Sequence, residues 1–131
     1  MIIDASVAIK WLVREDDSDH ALALLDRSDL IAPDLLACEV ANAIWKKRRR
    51  GELSDMPTRL GSIMAVFSQI EPTHRYLARA AAIAVEIDHA AYDCFYLALA
   101  EDLAMPVITA DQRFLAKVVH TPFAAITRPL Q

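Results

Sequence analysis

Three short stretches of this chain, MIID at its start, LIAP at residues 30–33 and VIT at residues 107–109, are apolar throughout or up to a single final polar residue. A strand with one face in water alternates apolar and polar side chains, so a short run without alternation belongs to a strand covered on both faces. Helical patterns separate these runs. Residues 5–13 are predicted to form a helix through Val7, Ile9, Trp11 and Leu12, and residues 18–27 a second one with Ala21, Leu24 and Leu25 on one face. Asp34 stands where an N-cap belongs for a helix over 35–50, which Gly51 ends. Further helices are expected over 55–68, 74–87, 91–103 and 112–119, with a last strand within 123–127. Residues 55–87 then form a helical hairpin beside the sheet. Short buried strands alternating with helices imply an α/β fold, a sandwich around a mainly parallel sheet.

No repeat, low-complexity tract or linker divides the chain, so residues 1–131 are expected to form one domain, large enough to bury a core without staples. Apolar residues make up 55% of it, and the mean hydropathy is +0.23. No apolar run approaches the length of a membrane span, so this excess points to an oligomer interface or a covered groove. Nothing resembles a secretion signal, and two cysteines, Cys38 and Cys94, fit a reduced cytoplasmic protein in which they pack.

Four acids sit where an acid is unwelcome. Asp4 closes the first strand and Asp111 follows the VIT strand. Glu39 interrupts the apolar stripe of LLACEVANAIW, and Asp93 opens the helix DCFYLALA. Burying a carboxylate without a partner costs several kcal/mol, on the order of the stability of a whole domain. In open parallel sheets, ligands bind beyond the carboxyl ends of the strands, and Asp4 and Asp111 stand there directly. Glu39 has Leu36, Val40 and Ala43 as helical neighbours, and Asp93 shares a stripe with Leu97 and Ala100. All four therefore face one end of the sheet. Meeting acids repel unless a cation joins them, which suggests a divalent-metal site. Taken singly, Asp4 and Asp111 also suit N-caps, and Asp93 suits the dipole of a first turn. Glu39 has no life as a cap.

Ser6 and Thr109 lie two residues from Asp4 and Asp111, and Asn42 lies three from Glu39, all within reach of a carboxylate or of their own backbone. Lys46, Lys47, Arg48, Arg49 and Arg50 form a basic run on the Glu39 helix. It suits either RNA phosphates or a solvated helix end. Arg14 and Arg113 stand near the acids as further phosphate contacts. A net charge of −4 does not exclude nucleic acid when acids gather at a metal and cations cluster elsewhere. His20, His74, His89 and His120 show no zinc-ligand spacing, which leaves them structural or solvated roles.

With Gly51 and Gly61 as the sole glycines, Walker A and G-x-G-x-x-G loops are absent, and so is a G-x-S-x-G elbow. A phospho-accepting aspartate domain is one rival reading, but it leaves Glu39 and Asp93 unexplained. A non-catalytic module that binds a partner through its apolar surface is another.

MIIDASV, ACEVANAIWK, YDCFYLALAE and VITADQRFL, in this order and spacing, resemble a PIN-domain protein of the VapC toxin type over essentially the whole chain. The resemblance implies a three-layer α/β/α sandwich around about four to five short strands. It also implies a ribonuclease dependent on Mg²⁺ or Mn²⁺, the toxin of a toxin–antitoxin pair. Asp4, Glu39, Asp93 and Asp111 match the family's acidic quartet, Ser6 and Thr109 its hydroxyl positions, and Asn42 its helix polar position. Asp4 and Asp93 are then expected as the most direct ligands, with Glu39 and Asp111 acting through water or positioning the nucleophile. Lys46, Lys47, Arg14 and Arg113 are the candidate RNA contacts. A homodimer is implied, together with an antitoxin whose tail covers the groove. Attack by a metal-activated water leaves a 5′-phosphate and a 3′-hydroxyl.

Overall fold

Five strands form one sheet in the computed structural model, which describes residues 1–131. They are β1 (Ile2–Ile3), β2 (Ile31–Pro33), β3 (Gln69–Glu71), β4 (Val107–Thr109) and β5 (Thr127–Pro129). Their order is β3-β2-β1-β4-β5, and every pairing is parallel. Ile2 pairs with Ile31 on one side and Val107 on the other.

Successive strand side chains point to opposite faces, which divides the core in two. Ile2, Ile31 and Val107 join one cluster with α4 (Leu77–Ile87), α5 (Ala91–Leu103) and α6 (Gln112–Val118). Ile3, Ala32 and Ile108 join the other with α1 (Ala5–Leu12) and α3 (Leu35–Arg49), next to α2 (Ser18–Ala23). The result is the expected three-layer sandwich. α5 is buried on nearly every side from Cys94 through Ala100, as a helix covered by both sheet and neighbours must be. Burial of Leu97 and Leu99, neither of them exposed, contributes roughly 2 kcal/mol each.

Several expectations are corrected. Residues 55–68 hold no α-helix: Leu60–Val66 forms 3-10 turns, and the chain then enters β3, so the helical hairpin does not exist. Pro57 and Gly61 weaken a helix there. β3 escapes notice because it is an edge strand whose Gln69 and Ile70 lie in solvent. The last strand falls at Thr127–Pro129 rather than within 123–127, since Pro122–Ile126 is a 3-10 turn that buries Phe123. α2 stops at Ala23 and passes into the turn Leu24–Asp26, and Thr73–Tyr76 is a 3-10 turn ahead of α4.

Asp34 does not cap α3 with its side chain. Its carboxylate instead accepts from Thr73 N at 3.0 Å and from the Thr73 hydroxyl, while that hydroxyl accepts from Leu35 N at 2.9 Å. The cap therefore comes from the first residue of the 3-10 turn that follows β3. At the other end of α3, Gly51 takes φ 74°, a left-handed conformation that glycine adopts without a Cβ penalty.

The chain leaves β1 toward β2 on one side, while β4 lies on the other. The strand order thus switches between β1 and β4, and the crevice beyond their carboxyl ends is where such sheets bind ligands. No helix is long and apolar enough to cross a membrane.

Candidate active site

Extending the β1–β4 register by one step sets Asp4 beside Thr109. Asp4 N donates to Ile108 O at 3.0 Å, which fixes the residue at the sheet edge. Its carboxylate is buried, and Oδ2 accepts from Ser6 Oγ at 2.5 Å and Thr109 Oγ1 at 2.7 Å. Each hydroxyl has one proton, so both protons are committed to Asp4. The hydroxyl oxygens in turn accept backbone N–H groups, Ser6 from Ala110 at 2.9 Å and Thr109 from Asp111 at 3.1 Å. Asp4 occupies the N-cap position of α1, but its side chain makes no cap bond; it is the acceptor of a buried network.

Glu39 projects from the second turn of α3 between the buried Leu36 and Val40. Its Oε1 accepts from the hydroxyl of the fully buried Tyr96 at 2.7 Å. Asp93, in the first turn of α5, lies against His89, with Oδ2 2.5 Å from Nε2.

The protein's own donors thus engage one oxygen of each of the three acids: Oδ2 of Asp4, Oε1 of Glu39 and Oδ2 of Asp93. One oxygen from each residue lies within 4.8 Å of the others. No lysine or arginine pairs with any of them; His89 is the one basic group against the cluster. Burial pushes the Asp4 carboxyl up to about 6, against the lowering effect of the two hydroxyls. Burial likewise pushes Glu39 up to about 8, opposed by the Tyr96 bond and reinforced by the charges of Asp4 and Asp93. Asp93 is also raised by burial, with His89 opposing. Three acids that resist ionisation beside one another, with carboxylate oxygens left over, fit a hard divalent cation.

The fourth acid behaves differently. Asp111 stands outside that group of three. Its Oδ1 accepts from Arg113 N at 2.9 Å and Phe114 N at 3.1 Å, so it is the N-cap of α6. It lines the same cleft, and its charge raises both Asp4 and Asp93.

The cleft holds about 680 Å³. Glu39, Asp93, Asp111, Ser6, Asn42 and Lys46 line it, with Tyr92, Ile9 and Leu35 among its apolar walls. The other three cations named from the sequence lie outside that lining. Arg14 pairs with Asp19 at 2.8 Å. Lys47 pairs with Glu15 at 2.8 Å, and Arg113 is exposed. Cys94 is core, its thiol pushed up to about 11 by burial, and Cys38 is exposed on the cleft wall.

Sequence reasoning missed His89 and Tyr96 as partners of the acids. The faint signal for His89 was its place four residues before Asp93, one helical turn away.

Residues 1–119 match the model of the PIN domain family. Over 134 aligned residues the chain is 32% identical to Ribonuclease VapC3 of Pyrobaculum aerophilum, covering 98% of both sequences. Its fold is similar to the crystal structure of PAE2754 from Pyrobaculum aerophilum, with a TM-score of 0.66 and 26% identity, covering 88% of this chain and 77% of that one. A switch-point cleft floored by acids, a matching family model and a relative of equal extent agree: this chain belongs to the PIN-domain family and, within it, to the VapC group.

Proposed function

We propose that this protein is an endoribonuclease, the toxin of a toxin–antitoxin pair, which hydrolyses RNA phosphodiester bonds with Mg²⁺ or Mn²⁺ held by Asp4, Glu39 and Asp93. One observation carries the reading: three carboxylates, Asp4 buried and Glu39 and Asp93 half-buried, with oxygens within 4.8 Å of one another and no lysine or arginine to neutralise them. Such a cation supplies Lewis acidity toward a phosphodiester and brings the pKa of water toward neutrality.

The residues of the chain prepare the site. Ser6 and Thr109 hold Asp4, Tyr96 holds Glu39, and His89 holds Asp93, so little ordering is left for the moment of binding. Asp111 adds negative charge at the rim while it fastens α6. Asn42 and Lys46 stand on the α3 wall, where an amide and an ammonium meet the sugar and phosphates of a single strand. Asp4 is poorly placed as a phospho-acceptor, because it is only 3% exposed and committed to two hydroxyls.

Residues 1–131 act as one PIN domain in this reading. In support, β5 lies beyond the matched residues and completes the same sheet. The reading brings with it an antitoxin over the cleft, a homodimer and a cytoplasmic setting. Exposed Tyr92 and Trp45 offer apolar surface beside the acids and along α3.

The test is cleavage of RNA by antitoxin-free protein with Mg²⁺ or Mn²⁺ against chelator, comparing wild type with Asp93→Asn. Metal-dependent products ending in 5′-phosphate, from wild type alone, are expected. Cleavage that survives chelation, or that Asp93→Asn retains, overturns the proposal.

A further inference from the structure

Asp93 is the one member of the acidic cluster held by a basic side chain. His89 Nε2 lies 2.5 Å from Asp93 Oδ2, and the two side chains are 17% and 18% exposed. An ionised carboxylate only accepts, so Nε2 carries the proton of this bond. Three features fix where the imidazole stands. Asp88, at φ 51°, ends α4 in a left-handed turn, and His89 N donates back to Ala84 O at 3.1 Å. The ring stacks on Phe114, with centroids 5.7 Å apart and planes 16° from parallel. Phe114 is itself fully buried, and its N–H is accepted by Asp111. A rigid chain of contacts therefore runs from Asp111 through Phe114 and His89 to Asp93.

His89 is not among the residues whose ligand atoms lie within 4.8 Å of one another. We propose that His89 is a positioning residue: by holding Oδ2 it fixes the rotation of the Asp93 carboxylate, presents the other oxygen to Asp4 and Glu39, and so raises the affinity of the cluster for a divalent cation. This rests on reading the three acids as a cation site. The bond to Oδ2 is the working part, and the stack on Phe114 is what aims it.

Substitutions separate the two parts. His89→Phe keeps an aromatic ring for Phe114 and loses the donor. His89→Gln places an amide N–H near the position of Nε2 and loses the ring. The measurement is Mn²⁺ affinity of the full chain in the absence of RNA, from the spin-resonance signal of free Mn²⁺, with circular dichroism to establish folding. His89→Phe is expected to bind Mn²⁺ about 10- to 100-fold more weakly, the range for loss of a group that orients a metal ligand. His89→Gln is expected to recover most of that loss. Unchanged affinity in folded His89→Phe, or equal weakening by both variants, overturns the role of His89. Wild-type protein that fails to bind Mn²⁺, or binds it as well after Asp4→Asn, overturns the cation site itself. If His89→Phe does not fold, His89→Asn replaces it, since its shorter amide falls short of Oδ2. Asn is then expected to be the weak binder and Gln the strong one, and equal affinities overturn the proposal.

Discussion

The hydroxyl of Tyr96 donates to Glu39 Oε1 at 2.7 Å and ties the middle of α5 to the second turn of α3 across the floor of the cleft. Glu39 and Asp93 stand on helices in opposite layers, so their separation depends on this crossing. Tyr96 is fully buried, and its hydroxyl titrates well above its ordinary value because burial and the nearby Asp4 and Glu39 charges oppose ionisation. Both effects favour the neutral hydroxyl, the form that donates to Glu39.

Tyr96→Phe removes that donor and leaves a half-buried carboxylate with one partner fewer. A stability loss of about 1 to 2 kcal/mol is expected in urea unfolding. The Tyr96 bond also lowers the Glu39 pKa, so its loss drives a value already near 8 still higher. Half-maximal Mn²⁺ binding should consequently move to higher pH. A binding curve that stays in place would show that Glu39 does not have to ionise for the cation to bind.

The raised acids give the metal-free protein an unusual response to pH. Asp4 is held near 6 against an ordinary value of 3.8, and Glu39 near 8 against 4.5. In the window between those pairs, the folded chain keeps protons that the unfolded chain has released. Their stabilising contribution is complete below the unfolded values and is lost as pH rises through about 6 and then about 8. With chelator present, the thermal midpoint should thus be higher at pH 5 than at pH 8. Saturating Mg²⁺ should narrow the gap, because the cation binds the ionised form. Glu39→Gln, which keeps an acceptor for Tyr96, should flatten the upper part of the slope. A midpoint that rises from pH 5 to pH 8 in chelator would contradict these shifts.

Much of this site was legible in the order of residues, and the reasons are specific. β1, β2 and β4 are covered on both faces, so each is apolar apart from the final Thr109 of β4, and the acids that follow β1 and β4 mark the ligand edge of the sheet. The edge strands carry no such mark. β3 exposes Gln69 and Ile70, and β5 exposes Arg128 and Pro129, so their patterns resemble loops. Asp111 shows that cap and cleft were never exclusive readings, because one side chain serves as the cap and lines the cleft. His89 and Tyr96 stayed hidden because their roles are tertiary. One depends on the left-handed turn at Asp88, the other on the crossing of α3 and α5.

The double life of Asp111 can be divided by substitution. Asn caps a helix about as well as Asp, so Asp111→Asn should retain α6 and change stability by a few tenths of a kcal/mol, whereas Asp111→Ala should cost about 1 kcal/mol. Since Asp111 lies outside the three-acid group, Asp111→Asn should weaken Mn²⁺ binding less than Asp93→Asn does. Equal losses in the two titrations would place Asp111 among the direct ligands.

Adjacent lysines on α3 should differ sharply in their effect on RNA. Lys46 lines the cleft, while Lys47 turns the other way and is held by Glu15 at 2.8 Å and Glu52 at 3.7 Å. A cation already paired releases few counterions on meeting a phosphate. Lys46→Ala should therefore weaken single-stranded RNA binding and reduce the slope of log affinity against log salt by about 0.7, the value for one phosphate contact. Lys47→Ala should leave that slope unchanged and cost less than about 1 kcal/mol of stability, as partly exposed ion pairs do. Both are measured in the Asp93→Asn background, where the RNA is expected to survive. If Lys47→Ala shifts the slope as much as Lys46→Ala, the RNA path follows the whole basic run rather than the cleft wall.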